Sequence, residues 1–136
     1  GGELLVKTLP GWVTSKIKSQ EQDHESATFT KLIKKEDGKI DWSEGADAIL
    51  RKIRAYTPWP SAWTTFESKM IKILRAHKGN AHLAPGSLAL FQDELVAGAG
   101  NNTSIIIDEI QLESKQPTSG KAFANGHLRG ELKQFS

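Results

Sequence analysis

Four histidines and no cysteine limit what this chain offers for metal or nucleophilic chemistry. His77 and His82 stand five apart in His77-Lys78-Gly79-Asn80-Ala81-His82, with no carboxylate close in sequence. A zinc site needs three or four converging ligands, so the pair is a weak metal motif and no metal is expected. Asp108 and Glu109 are adjacent in a run that reads as a strand, which points them to opposite faces and argues against an acid–base pair. Neither a glycine-rich dinucleotide loop, a phosphate-binding GxxxxGK[ST] loop nor a GxSxG elbow occurs. Without cysteine there is no disulfide, thiolate metal site or cysteine nucleophile, which fits a reducing, cytoplasmic setting. The residues themselves describe a binding or structural domain rather than a catalyst.

Binding chemistry is better represented. The net charge is only +2, but it is uneven: +2 over residues 31–54, +3 over 55–90, −5 over 91–114 and +3 over 115–136. Such polarisation fits either a face for a polyanion, with the acidic stretch turned away, or an ordinary solvated surface. Two of the four tryptophans lie within Arg54-Ala55-Tyr56-Thr57-Pro58-Trp59-Pro60-Ser61-Ala62-Trp63-Thr64. Pro58 and Pro60 exclude helix interior and central strand there, and they reduce the entropy lost in ordering the loop. An aromatic ring on such a loop can stack on a nucleobase, but at a helix–strand junction packing is the expected role. If Trp59 is buried, its truncation to alanine costs about 3–5 kcal/mol. An interface with another domain stays open as an alternative for Trp59 and Trp63.

The elements that must carry these residues follow from the pattern. The chain has 136 residues, the size of one ordinary domain. No apolar run approaches the ~18 residues of a membrane span, and no export leader is recognisable. Residues 3–9 read as the end of an amphipathic helix stopped by Pro10-Gly11, whose apolar face belongs against something outside the chain. Residues 16–39 read as a polar, extended linker with a short β segment at Thr28-Phe29-Thr30, anchored through Ile17, Phe29, Leu32 and Ile33. Ser43 is the expected N-cap of a helix over 44–55, with Ala46, Ile49, Leu50 and Ile53 as its apolar stripe. Strands are predicted over 62–66, 69–77, 86–91, 94–99 and 103–113. Turns fall at Glu67-Ser68 and Gln92-Asp93, and a positive-φ loop at Gly98 to Asn102, followed by a short helical turn near Asn125. The fold class is mainly β: a small OB-fold-like barrel of five to six strands with one α-helix and an extended N-terminal linker.

Several motifs together resemble the methionyl-tRNA formyltransferases. They are Ala27-Thr28-Phe29-Thr30-Lys31, Lys39-Ile40-Asp41-Trp42-Ser43, Ile53-Arg54-Ala55 and Pro58-Trp59-Pro60-Ser61-Ala62-Trp63. Ala84-Pro85-Gly86-Ser87 and Ile110-Gln111-Leu112-Glu113 with Gly120-Lys121 follow in the same order. The similarity covers nearly the whole chain but only that family's C-terminal part, and the tail 122–136 matches loosely. The resemblance implies that residues 1–11 are the end of the last catalytic-domain helix, 12–39 a linker and 40–136 an OB-like C-terminal domain. Asp41, Trp42, Pro58, Trp59, Pro60 and Trp63 are the structural motif. The resemblance also implies a tRNA contact along Lys31, Lys34, Lys35 and Lys39, continuing over Arg51, Lys52 and Arg54, with Lys69 and Lys72 on the barrel.

In that family the full enzyme moves a formyl group from 10-formyltetrahydrofolate to initiator methionyl-tRNA. Its Asn, His and Asp catalytic residues and its folate loop belong to a domain outside these residues, so the chain alone is expected to bind no cofactor and to be inactive. The expected partners are initiator methionyl-tRNA and that catalytic domain, with a monomeric, cytoplasmic protein and no membrane. Two other readings stand beside this one: a scaffold domain of a sugar formyltransferase, and a free-standing OB-fold module for single-stranded nucleic acid.

Overall fold

The structure is a computed structural model that describes residues 1–128 and 133–136. The chain divides into two compact units, Gly1–Leu32 and Ile33–Ser136. Among the described residues, no helix is long and apolar enough to cross a membrane.

The first unit begins with helix α1, Gly2–Val13. The expected stop at Pro10 does not occur. Proline removes one donor, but its carbonyl still accepts, and Thr14 answers it twice, through its amide at 3.3 Å and its hydroxyl at 2.8 Å. The apolar side chains Leu4, Leu5, Val6, Leu9, Trp12 and Val13 are all exposed. The segment after α1 holds no strand, and the expected β segment at Thr28-Phe29-Thr30 is absent. The expected anchors are not buried either: Ile17, Phe29, Leu32 and Ile33 are all exposed. Three β-prone residues set between polar ones have neither a pairing strand nor a second apolar position to hold them.

The second unit starts with a 3-10 turn, Lys35–Gly38, and helix α2, Ala46–Tyr56. Among the described residues seven strands follow: β1 Ala62–Phe66, β2 Lys69–Gly79, β3 Ser87–Phe91, β4 Glu94–Ala99, β5 Thr103–Leu112, β6 Thr118–Ser119 and β7 Lys133–Gln134. Helix α3, Gly120–His127, lies between β6 and β7. The sheet order is β1-β2-β5-β4-β3-β7, with β6 on β5, and these strands pair antiparallel throughout. This is the small, nearly closed OB-like barrel that the strand spacing predicts.

Helix α3 is fuller than the single turn expected near Asn125. Ser119 caps it by accepting from the Ala122 amide, and Phe123 packs edge-on against Phe66 with ring centroids 5.2 Å apart. Two-residue turns make two hairpins, Glu67-Ser68 and Gln92-Asp93, and the three-residue loop Gly100-Asn101-Asn102 makes a third, with Asn101-Asn102 at its tip. The six turn and tip residues take positive φ, the conformation that matches the twist of the flanking strands. The β2–β5 pairing shifts register around Arg75, which bends the two longest strands.

Helix α2 is capped differently from expectation. Ser43 does not cap it, because its amide and hydroxyl both donate to Asp41 Oδ1, at 2.9 and 2.6 Å. Those two bonds hold the Asp41 carboxyl below its ordinary pKa, the side-chain bond contributing most. The N-cap is Gly45, and the first orphan amide, that of Ala46, donates to Thr103 Oγ1 at 2.9 Å. The apolar stripe Ala46, Ile49, Leu50 and Ile53 is buried in the barrel core, as its spacing predicts.

Closure comes from the chain's last four residues. β7 pairs with β3 through Ser87↔Gln134 and Leu88↔Lys133. The next residues cross to β1, where Thr65 and Ser136 exchange amide–carbonyl bonds of 3.0 and 3.1 Å. Gly86, with φ of +79°, lies under this crossing; its carbonyl accepts from Phe135 N, and a Cβ there would sit 3.0 Å from Phe135 O. Phe135 stacks on Trp42 at 5.2 Å. The buried Trp42 Nε1 donates to Thr64 Oγ1 at 3.0 Å, and that hydroxyl donates to Ser136 O at 2.9 Å.

Two outcomes follow for stability. Thr64→Val removes the hydroxyl and leaves a buried indole N–H unpaired, which should cost about 1–3 kcal/mol, whereas Thr64→Ser keeps the link and should cost less. Equal denaturant midpoints for the two variants would contradict this. Trp42 is 7% exposed, so Trp42→Ala should cost about 3–5 kcal/mol. Trp59 is 63% exposed, so the core role expected of it is overturned: Trp59→Ala should shift stability by about 0.5 kcal/mol or less. A large loss in Trp59→Ala unfolding curves would refute the exposed placement.

Candidate nucleic-acid interface

The basic segment after Ile33 is strapped onto the barrel by backbone contacts. Lys34 N donates to Asp37 Oδ2 at 2.8 Å and starts the 3-10 turn. Gly38, at its end, is buried against the Pro60-Ser61 bend; a Cβ there would lie 2.3 Å from Ser61 O, so only glycine allows this approach. Lys39 then pairs in parallel with Trp63, and Ile40 N donates to Trp63 O at 2.8 Å. Trp63 Nε1 returns a bond of 2.8 Å to Lys35 O. The Lys39 ammonium stands 6.0 Å from the centre of the Trp63 ring, at the outer limit of a cation–π contact. Lys52, reaching from α2, donates to Lys39 O at 3.0 Å and lies 3.7 Å from Glu44.

The loop of prolines carries Trp59 at the end of α2. Thr57 Oγ1 donates to Ile53 O, Ser61 Oγ to Pro58 O and Ser61 N to Tyr56 O, at 2.7, 2.8 and 2.9 Å. The Thr57–Pro58 and Trp59–Pro60 peptide bonds are both cis. Pro60 is buried, Pro58 and Trp59 are exposed, and Trp63 is half-buried.

Strand alternation puts Trp63 on the outer face of β1, because Ala62, Thr64 and Phe66 take the core side. Directly across from Trp63 stands Lys72 on β2, and across from Lys72 stands Gln111 on β5. These residues line a cleft of about 290 Å³ together with Lys35, Trp59 and Pro60. Met70 and Leu112 add apolar lining, and Glu113 and Ser114 line it as well.

The structure therefore brings Lys35, Lys72, Trp59, Pro60 and Trp63 to one cleft, with Lys39 against the Trp63 ring. It places the other basic residues elsewhere. Lys31 is exposed in the first unit; Lys34 is exposed at the start of the 3-10 turn; Arg51 and Arg54 are exposed on α2; Lys69 is exposed at the start of β2. Asp41 and Trp42 belong to the α2 entry and the core. The acidic stretch does not wholly turn away, since Glu113 lines the same cleft as Lys35 and Lys72. Gln111, Glu113 and Met70 were not legible as cleft residues, because strand register sets them there: Met70 through β1–β2, Gln111 through β2–β5, and Glu113 through its amide on Met70 O.

His77 and His82 have separate partners. His77 Nδ1 is 3.1 Å from Asp108 Oδ2, and His82 Nδ1 is 3.0 Å from Asn102 O. Among the described residues, no group of three or more His, Cys, Asp and Glu could hold a metal. What the cleft offers is aromatic faces, ammonium groups and hydrogen-bonding edges, which suits binding rather than bond making.

Comparison with known proteins agrees with this architecture. Solved structures of HypX from Aquifex aeolicus superpose with a TM-score of 0.68 at 17% identity, covering 94% of this chain and 23% of that one. A further HypX structure, in complex with tetrahydrofolic acid, gives a TM-score of 0.67. At such identity the likeness shows the fold. Curated relatives are closer in sequence: the methionyl-tRNA formyltransferase of Koribacter versatilis is 41% identical over 127 residues, and that of Chloroflexus aggregans 38% over 131. Each match covers 93% of this chain, which spans about two fifths of those relatives' length, 41% and 42%. Residues 32–128 match the family described as formyl transferase, C-terminal domain, and the chain belongs to that family.

Proposed function

We propose that this chain is the tRNA-binding C-terminal part of a methionyl-tRNA formyltransferase. In the longer protein a separate catalytic domain would transfer the formyl group from 10-formyltetrahydrofolate to the amine of initiator methionyl-tRNA. The chain's own residues would hold the tRNA and would hold no cofactor. The observation that carries the reading is a basic, aromatic cleft in a chain whose matched relatives bear that enzyme's name. The contact would run over Lys34, Lys35 and Lys39 to Lys72, with Arg51, Arg54 and Lys69 of the same unit extending it. Lys52 already donates to Lys39 O, so it supports the strap as well as adding charge. The protein would act as a monomer in the cytoplasm.

Lysine ammonium groups on phosphates give affinity without reading bases, so binding should be weak and nearly indifferent to tRNA identity. With about four phosphates neutralised, log K should fall with log salt at a slope of about −3 to −4. The double variant Lys34→Ala, Lys35→Ala should reduce that slope by about two and weaken all tRNAs alike. An unchanged slope would remove the 34–39 segment from the interface. Binding of a sugar nucleotide with no binding of tRNA would favour the sugar-formyltransferase scaffold instead.

A further inference from the structure

We propose that the cleft between Trp59 and Trp63 receives one unpaired nucleotide of a bound RNA. Its base would lie against the two indoles and its phosphate against Lys35 and Lys72. The proposal rests on the tRNA reading above only for the identity of the RNA.

Trp59 presents an apolar ring that is 63% exposed, yet its loop is held at both ends by hydrogen bonds from Thr57 and Ser61. A ring presented on an ordered loop leaves little backbone freedom to be lost when a ligand covers it. Trp63 spends its single N–H on Lys35 O at 2.8 Å, so what it offers a ligand is a ring surface of fixed orientation. Gln111 donates its amide nitrogen to Lys115 O at 2.9 Å, which leaves its oxygen as an acceptor. The Glu113 carboxylate is a second acceptor. Acceptors beside aromatic faces suit a planar ring with N–H groups on its edge, which describes a nucleobase.

The two lysines decide between classes of occupant. An apolar protein face docked here would take Lys35 and Lys72 out of water without a partner, which is costly. A nucleotide brings its own anion. The size agrees: about 290 Å³ lies at the small end of ligand cavities, enough for one base and too little for a duplex.

The test uses a six-nucleotide single-stranded RNA carrying 2-aminopurine, whose fluorescence falls on stacking, and in parallel an unmodified tRNA. The wild-type chain should quench the probe. Trp59→Leu, which keeps an apolar side chain but no aromatic face, should lose the quench and bind tRNA about five- to hundredfold more weakly at an unchanged salt slope. Trp59→Phe should keep most of the quench and affinity. Lys72→Ala should lower the salt slope by about one. The position of Trp59 on the surface means these variants should fold, which denaturant curves check. tRNA binding with no quench, or full quench and affinity in Trp59→Leu, would overturn the cleft proposal while leaving the tRNA reading in place. Quenching of the hexamer with no tRNA binding would sustain the cleft and overturn the tRNA reading. Binding of neither RNA would overturn both.

Discussion

The barrel depends on a crossing made by four residues. β1 and β3 are not neighbours in the sheet, and the segment from Lys133 to Ser136 joins them, pairing first with β3 and then with Thr65. At the centre of the crossing the Thr64 hydroxyl accepts from Trp42 and donates to Ser136. A satisfied hydrogen bond adds only about 0.5–1.5 kcal/mol net, whereas an orphaned buried donor costs about 1–3 kcal/mol. The chain of bonds therefore acts mainly by forbidding alternatives. A tail shifted by one residue would take the Ser136 carbonyl away from the Thr64 hydroxyl and unstack Phe135 from Trp42.

The same strand transmits this order to the surface. β1 alternates, so Thr64 serves the closure and its neighbour Trp63 faces out beside Lys72. Trp63 in turn holds the basic segment, through Lys35 O and the Lys39–Trp63 pairing. Gly38 sets how close that segment comes to the Pro60-Ser61 bend, because any side chain would meet the Ser61 carbonyl. Core, strand, strap and cleft are thus linked through adjacent residues of one five-residue strand. The lysines of the cleft sit on backbone that is held at several points rather than on a free tail.

What the sequence made legible was local. The stripe of α2 and the Glu67-Ser68 and Gln92-Asp93 turns follow from periodicity and turn chemistry, with no long-range information needed. The differences came from partners that the pattern did not show, some distant and some near. Ser43 looked like an N-cap because a serine before an apolar stripe usually is one, but Asp41 took its hydroxyl and Thr103, 57 residues away, satisfied the Ala46 amide. Trp59 looked buried because large rings usually are, yet the proline loop holds it out. Gln111 and Glu113 gave no local sign of the cleft, since the β2–β5 register and the Glu113 amide on Met70 O bring them to it. Pro10 failed as a stop because one missing donor does not end a helix whose next carbonyl is answered by a threonine.

The cleft also explains why a domain of this kind can be useful without being tight. Exposed ion contacts are individually worth less than about 1 kcal/mol and are screened by salt. Glu113 beside Lys35 and Lys72 lowers the local positive field further, so strong charge attraction is not what the cleft is built for. In the longer protein proposed above, a second domain would engage the same RNA, and the contact proposed here would become intramolecular. A tether then raises the effective concentration to the millimolar range, so a weak site adds substantially to the whole. Under that condition rigidity matters more than affinity, because a rigid second contact fixes where the RNA lies relative to the chemistry, and a loose one does not. A Trp63 ring held by its N–H, a glycine-set strap and a nearly closed barrel supply that rigidity.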